Sequence, residues 1–281
     1  MAAVPTIDLQ VNTAKLEQAF NRLDKSAQRS FGKIVLQQSR LTSWHLARCT
    51  QPWNSDFGNG MDKGTQRVGQ AAVGRDIGNV FKAASAVFAQ LKAEDEALAK
   101  AWWKAMKHGQ YEAASIMLRK SSLRDRNAEI GALNPALHQK LRDNRGRISR
   151  HRAALIVPDA KSIKDYIKER QQFVGFAKAG WISAGSSLGR VTRVPAWITR
   201  HVGKAPGHGI NNSQGIDPHC TLVNDVRYVS QILPKSQIVK VINSSVDAFV
   251  KHIDHVIAAE ARSAGFVTQD TGRLSAELNA A

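Results

Sequence analysis

Residues 174–201 read VGFAKAGWISAGSSLGRVTRVPAWITRH. Gly, Ala and Ser fill most positions from Ala177 to Gly189, yet two of the chain's six tryptophans, Trp181 and Trp197, stand in this stretch. Small side chains at Ala177, Ala179, Gly180, Ala184 and Gly185 let a neighbouring backbone come close. The stretch therefore reads as a tightly packed helix, broken near Gly175, resuming to Leu188 and anchored by the Trp181 indole. Trp197 follows Pro195 in a loop beside Arg193 and Arg200. Tryptophan and arginine in a rigid loop make interface anchors, so Trp197, Arg200 and His201 are read as a subunit-interface contact.

On the C-terminal side, Gly, Pro and His dominate 189–218, which reads as a long loop. HCTLVN (219–224) follows as a strand. After Pro234 comes an amphipathic helix with Ile238, Val241, Ile242, Val246, Phe249, Val250, Ile253 and Val256. The tail beyond Gly265 is polar and reads as loosely ordered.

On the N-terminal side, AALIV (153–157) ends at Pro158 and reads as a buried strand, and Asp159 caps a helix carrying Ile163 and Ile167. TIDLQV (6–11) alternates like a short strand. From the cap pair Asn12-Thr13, the residues Leu16, Phe20, Leu23, Ala27, Phe31, Ile34 and Leu41 recur every three or four positions, which predicts a helix of about eight turns. Pro52 and NSDFGNGMDKG (54–64) end it in a loop. A second helix is predicted from Val68 through Ala72, Ile77, Val80, Phe81 and Phe88 to about Leu91. EDEALAKAWWKAMKHG (94–109) and residues 110–120 read as a helical pair. The sum is an α+β fold, with a small β-sheet against a long N-terminal helix and a C-terminal helix, plus a helical insertion and long loops. Residues 1–92 and 153–264 build the core, 93–152 form the helical insertion and a basic arm, and 265–281 form the tail.

Charge narrows the function. The 281 residues hold 40 Lys+Arg against 23 Asp+Glu, a net charge of +17. Residues 101–200 alone carry 20 basic and 7 acidic residues, so the positive field is regional. Within it, Lys140, Arg142, Arg145, Arg147, Arg150 and Arg152 lie on the arm 121–152, which reads as exposed. Such an arm suits either the phosphates of DNA or an acidic partner surface. No helix-turn-helix, zinc-finger or RNA-reading motif accompanies it, which argues against base-specific recognition.

Enzymatic signals are weak. GSSLG (185–189) satisfies GxSxG around Ser187 but ends a predicted helix, where a nucleophile elbow needs a sharp turn from strand to helix. His201, His208, His219 and Cys220 are spaced unlike any standard zinc site, and His252 and His255 read as a solvated edge. Cys49 and Cys220 are too few for a disulfide framework, in keeping with a reducing compartment. No stretch reaches the roughly 20 apolar residues of a membrane span. No catalytic residues, metal or cofactor are expected.

Several short stretches in this order resemble tailed-bacteriophage virion proteins of the head–tail joining (neck) and tail-completion type. They are TQPW (50–53), where relatives tend to have Thr-Pro-Pro, QAAVGRDIGNVF (70–81), KAGW (178–181), PAWITRH (195–201) and VRYVSQIL (226–233). The resemblance implies a non-enzymatic subunit of a closed homo-oligomeric ring, a small sheet flanked by a long helix. Such a ring sits in the virion between portal or adaptor and tail proteins and is assembled in the host cytoplasm, with double-stranded DNA passing through it and no membrane involved. The segment 93–150 is longer than a minimal member needs. The competing expectation is a sequence-nonspecific nucleic-acid-binding protein.

Overall fold

The computed structural model describes residues 13–52, 60–143, 148, 152–214 and 217–263; at 13–20, 22–30, 260, 261 and 263 only the backbone course is described. The strand read at 6–11 and the polar tail lie outside the described residues. The fold is α+β, as expected, but its strands form two separate sheets.

Helix α1 (Thr13–Cys49) is 37 residues long, about 55 Å. It is followed by α2 (Lys63–Gly78), strand β1 (Phe81–Ala83) and α3 (Ala84–Glu94). The single helix expected across 68–91 is thus two helices flanking a strand. Val80 and Phe81 are apolar in both the helical and the strand period, and pairing of Phe81 with Leu155 decides for strand. Next come α4 (Glu96–Lys107), α5 (Tyr111–Arg119), β2 (Glu129–Ile130), α6 (Pro135–Lys140) and β3 (Leu155–Val157). Aspartates or asparagine start these helices. Asp62 accepts from Thr65 N at 2.6 Å, Asp95 from Leu98 N at 2.9 Å and Asn134 from Ala136 N at 3.0 Å.

The first sheet is parallel, in the order β1-β3-β2, with β3 at its centre. Alternation across β3 divides two cores. Ile156 points into a cluster built by α3, α4 and α5 around Trp102, Val87, Leu91 and Leu118. Leu155 and Val157 point the other way, to Ile77, Phe81, Ile163 and Tyr166. The segment read as an exposed arm is folded onto this sheet at its N-terminal end. Asp125, only 2% exposed, accepts from Ala153 N at 2.7 Å and pairs with Lys82 Nζ at 2.6 Å.

The second half runs through α7 (Ala160–Gln171), α8 (Phe176–Ser187), α9 (Ala196–Thr199), β4 (Gly207–Asn212), β5 (His219–Asn224), α10 (Val229–Ile232) and α11 (Lys235–Ser263). Asp159 caps α7 as read, accepting from Lys161 N at 2.8 Å and Ser162 N at 3.2 Å. The loop expected over 189–218 contains α9 and β4, and β4 is the antiparallel partner of β5. Its glycines hid it. A Cβ on Gly207 would stand 2.0 Å from the Gly180 carbonyl oxygen, so β4 lies directly on the small-residue face of α8. On another side of α8, a Cβ on Gly185 would meet Ser43 Oγ of α1 at 2.0 Å.

Helix α11 returns antiparallel along α1. Thr42 Oγ1 donates to Ser245 Oγ at 2.9 Å, Phe31 and Phe249 meet edge-on at 5.3 Å, and Leu46 packs with Leu233, Ile238 and Val241.

Candidate assembly surface

Of the three residues expected at a subunit interface, Trp197 and His201 are buried within their own chain. Trp197 is a core residue, 6% exposed, and its Nε1 donates to the Met61 carbonyl at 3.1 Å. Its indole crosses Gly175, whose φ of +95° breaks the chain between α7 and α8. The short helix α9 rolls the ring inward, which a loop reading of PAWITRH could not foresee. His201 is 9% exposed, lies edge-on to Phe176 at 5.7 Å, and accepts from Arg200 Nε at 3.1 Å. Burial, then the neighbouring Arg200 guanidinium, lowers its pKa. Arg200 alone remains at the surface, and its Nη2 donates to the Gln172 carbonyl at 3.0 Å. The trio thus ties α9 to the α7–α8 junction, and Trp197 also to the segment before α2.

The basic stretch is also divided. Arg142 turns to the Asp76 carboxylate, whose same oxygen His138 Nε2 contacts at 3.1 Å, with Arg142 Nη2 and His138 Nε2 3.2 Å apart. His138 Nδ1 lies 3.0 Å from the Tyr166 hydroxyl, which makes an Asp76–His138–Tyr166 chain buried at His138 and Tyr166 and half-buried at Asp76. Burial raises the Tyr166 pKa, against the lowering effect of Arg170 and Arg142. Lys140 and Arg152 are exposed, whereas Arg145, Arg147 and Arg150 lie outside the described residues. A second exposed basic group, which the sequence reading did not single out, is formed by Arg119 and Lys120 at the end of α5 with Arg124 and Arg126 in the next turn.

Ser187 is a tether between α8 and β4. Its Oγ donates to the Ala184 carbonyl at 2.7 Å and accepts from Gly209 N at 2.6 Å. His208 contacts Asp225 at 3.2 Å and His219 contacts Asn212 at 2.9 Å, both exposed on the β4–β5 hairpin. Among the described residues no three His, Cys, Asp or Glu side chains gather as metal ligands, and no helix is long and apolar enough to cross a membrane.

Two features escaped the sequence reading. Lys178, in the first turn of α8, is fully buried and donates to the carbonyls of Ala47 (3.0 Å), Arg48 (3.3 Å) and Thr50, closing the C-terminus of α1. Burial brings its pKa down to about 7, although Cys49 and Asp62 nearby pull upward. There is also a cavity of about 370 Å³ among α2, α6, α10 and the α7–α8 junction, lined by Pro52, His138, Arg142, Arg170, Phe173 and Tyr228. Its guanidinium groups are engaged within the fold, Arg142 with Asp76 and Arg170 over the Phe173 ring at 5.6 Å.

A run of exposed apolar side chains lies along α11. Ile238, Val241 and Phe249 face α1, but Val239, Ile242, Val246, Val250 and Ile257 are 45–56% exposed and follow one another along the helix. The sequence signalled amphipathicity and did not show that the apolar arc is wider than α1 can cover. Exposed apolar surface of this extent is characteristic of interaction sites. Comparison of the chain with protein-family models, with curated proteins and with solved structures finds no match.

Proposed function

We propose that this chain is a structural subunit that works by assembly, as part of a ring at the head–tail interface of a tailed-phage virion, in the neck or tail-completion role that its sequence resembles. The observation that supports assembly is the uncovered apolar band of α11, which stands beside the 37-residue helix α1, whereas the ring and its place in a virion rest on the resemblance of the sequence. A chain with cores on both faces of its parallel sheet has apolar surface enough inside. Leaving five aliphatic side chains of one helix to water is costly unless a neighbour covers them, at about 25 cal/mol per Å² of apolar surface.

The test is electron microscopy of the purified protein and of particles from the culture that produces it. Closed rings, and the same density at the head–tail junction, are expected. A monomer at every concentration that is also missing from particles overturns the proposal.

A second reading, nonspecific nucleic-acid binding, is favoured by the exposed group Arg119, Lys120, Arg124 and Arg126 together with Lys140. It predicts duplex-DNA binding whose affinity falls steeply with salt. Absence of binding at 50 mM salt discards it.

A further inference from the structure

We propose that the apolar band of α11 receives α11 of a second copy of this chain, antiparallel and two-fold related, with Val246 against Val250 of the partner subunit. The argument starts from spacing. Val239 and Val250, Ile242 and Ile253, and Val246 and Ile257 are three pairs each 11 residues apart. An 11-residue repeat corresponds to about 3.67 residues per turn, close to the 3.6 of a straight helix, so the band runs nearly parallel to the helix axis for about 27 Å. A straight helix of the same kind can lie along it without supercoiling far.

The charges beside the band choose the direction. Lys240, Asp247, Lys251 and Asp254 are all exposed, lie on the same flank of the band, and make no ion pair among the described residues. The opposite flank carries Val241 and Phe249 and is covered by α1. In a parallel pair, opposite flanks of the two helices face each other, and one of these is already occupied. In an antiparallel pair each flank faces its own copy. Setting Val246 against Val250 of the partner subunit sets Val239 against Ile257 of the partner subunit. The same register brings Lys240 within two residues of Asp254 of the partner subunit, and Lys251 within two residues of the partner's Asp247. Each cation therefore meets a carboxylate, and the two-fold axis doubles both pairs.

This inference rests on reading the chain as an assembling subunit. It adds a closed pairwise contact, distinct from the head-to-tail contact that a ring requires.

The test is disulfide trapping in the full chain. Positions 239 and 257 are about 27 Å apart within one helix, so V239C/I257C can form a 239–257 bond only between two molecules. Mild oxidation is expected to give a covalent dimer, with the 239–257 linkage found by peptide mass mapping. A linkage through V239C alone indicates a parallel pair and overturns the proposal. So does a V239C/I257C protein that stays uncrosslinked while rings still form, an outcome that leaves the assembly reading standing. A chain that neither crosslinks nor associates in any form removes both. As a second measurement, K240E/K251E is expected to weaken self-association by about tenfold at low salt, and adding D247K/D254K to restore it. Loss without restoration overturns the charge register.

Discussion

Lys178 Nζ donates to the carbonyl oxygen of Ala47 at 3.0 Å, joining the first turn of α8 to the last turn of α1. A lysine is the only ordinary side chain that supplies three donors from one point at the end of a long stem, and the end of α1 offers three buried acceptors. The same burial that makes the contact strong makes its charge expensive.

Stability is expected to depend on pH through this lysine. Folded, Lys178 titrates near 7; unfolded, it holds its proton to the usual lysine value of 10.5. Between the two, the unfolded chain binds more protons, so stability rises as pH climbs from about 7 toward 10 and this contribution is flat below 7. On the acid side, burial also lowers His45 and His201, so stability falls as pH drops below the ordinary histidine value. Urea unfolding at pH 6, 7, 8 and 9 checks the slope. Lys178→Met is expected to flatten it above pH 7 and to cost about 1–3 kcal/mol, since three carbonyls lose their donor.

Gly175 and Trp197 form the second testable joint. A Cβ on Gly175 would lie 2.6 Å from Trp197 Cζ3, at a φ of +95° that side chains rarely adopt. Gly175→Ala is therefore expected to cost about 2–4 kcal/mol, because strain and overlap add. Trp197→Phe keeps the ring over Gly175 and removes the hydrogen bond to Met61, for about 1–2 kcal/mol. Denaturant midpoints measure both. If Trp197→Phe leaves stability unchanged but abolishes self-association, Trp197 is an interface residue after all.

The pairing of Arg142 with Asp76 separates structure from nucleic-acid contact within the basic region. Arg142→Gln leaves Asp76 with His138 alone and is expected to lower stability by about 1–2 kcal/mol without moving the salt concentration at which the protein leaves a heparin column. Neutralising Arg119, Lys120, Arg124 and Arg126 together should do the reverse, shifting elution to lower salt with stability within about 0.5 kcal/mol.

What the sequence revealed follows how locally each feature is determined. Asp159 and Gly109 punctuate helices by their own chemistry, and β3 was legible because Leu155, Ile156 and Val157 are all buried in the middle of a sheet. Strand β1 was not, since Phe81 is a strand residue only because Leu155 pairs with it from 74 positions away. Strand β4 was concealed because Gly207 and Gly209, which read as loop residues, serve close approach to α8. Trp197, expected outside, lies inside, and Arg142 is half-buried, because their partners, Met61 and Asp76, carry no local mark. The α11 band was visible as amphipathicity, but its excess width appears only once the area shaded by α1 is known.

Asp125 gives the most demanding prediction, because its two oxygens serve different strands. Oδ1 accepts from Ala153 N beside β3, and Oδ2 accepts from Lys82 Nζ on β1. Lys82 has a second acceptor, Gln90 Oε1 at 2.6 Å, and is itself partly solvated, so it tolerates the loss of the carboxylate. The amide of Ala153 has no such reserve. Asp125→Ala should therefore cost about 2–4 kcal/mol, and Asp125→Asn, which preserves one acceptor, about half as much. Lys82→Met should cost less than Asp125→Ala, because the carboxylate keeps its bond to Ala153. Equal losses for Asp125→Asn and Asp125→Ala in urea unfolding would show that charge, and not the Ala153 hydrogen bond, holds the three strands in register.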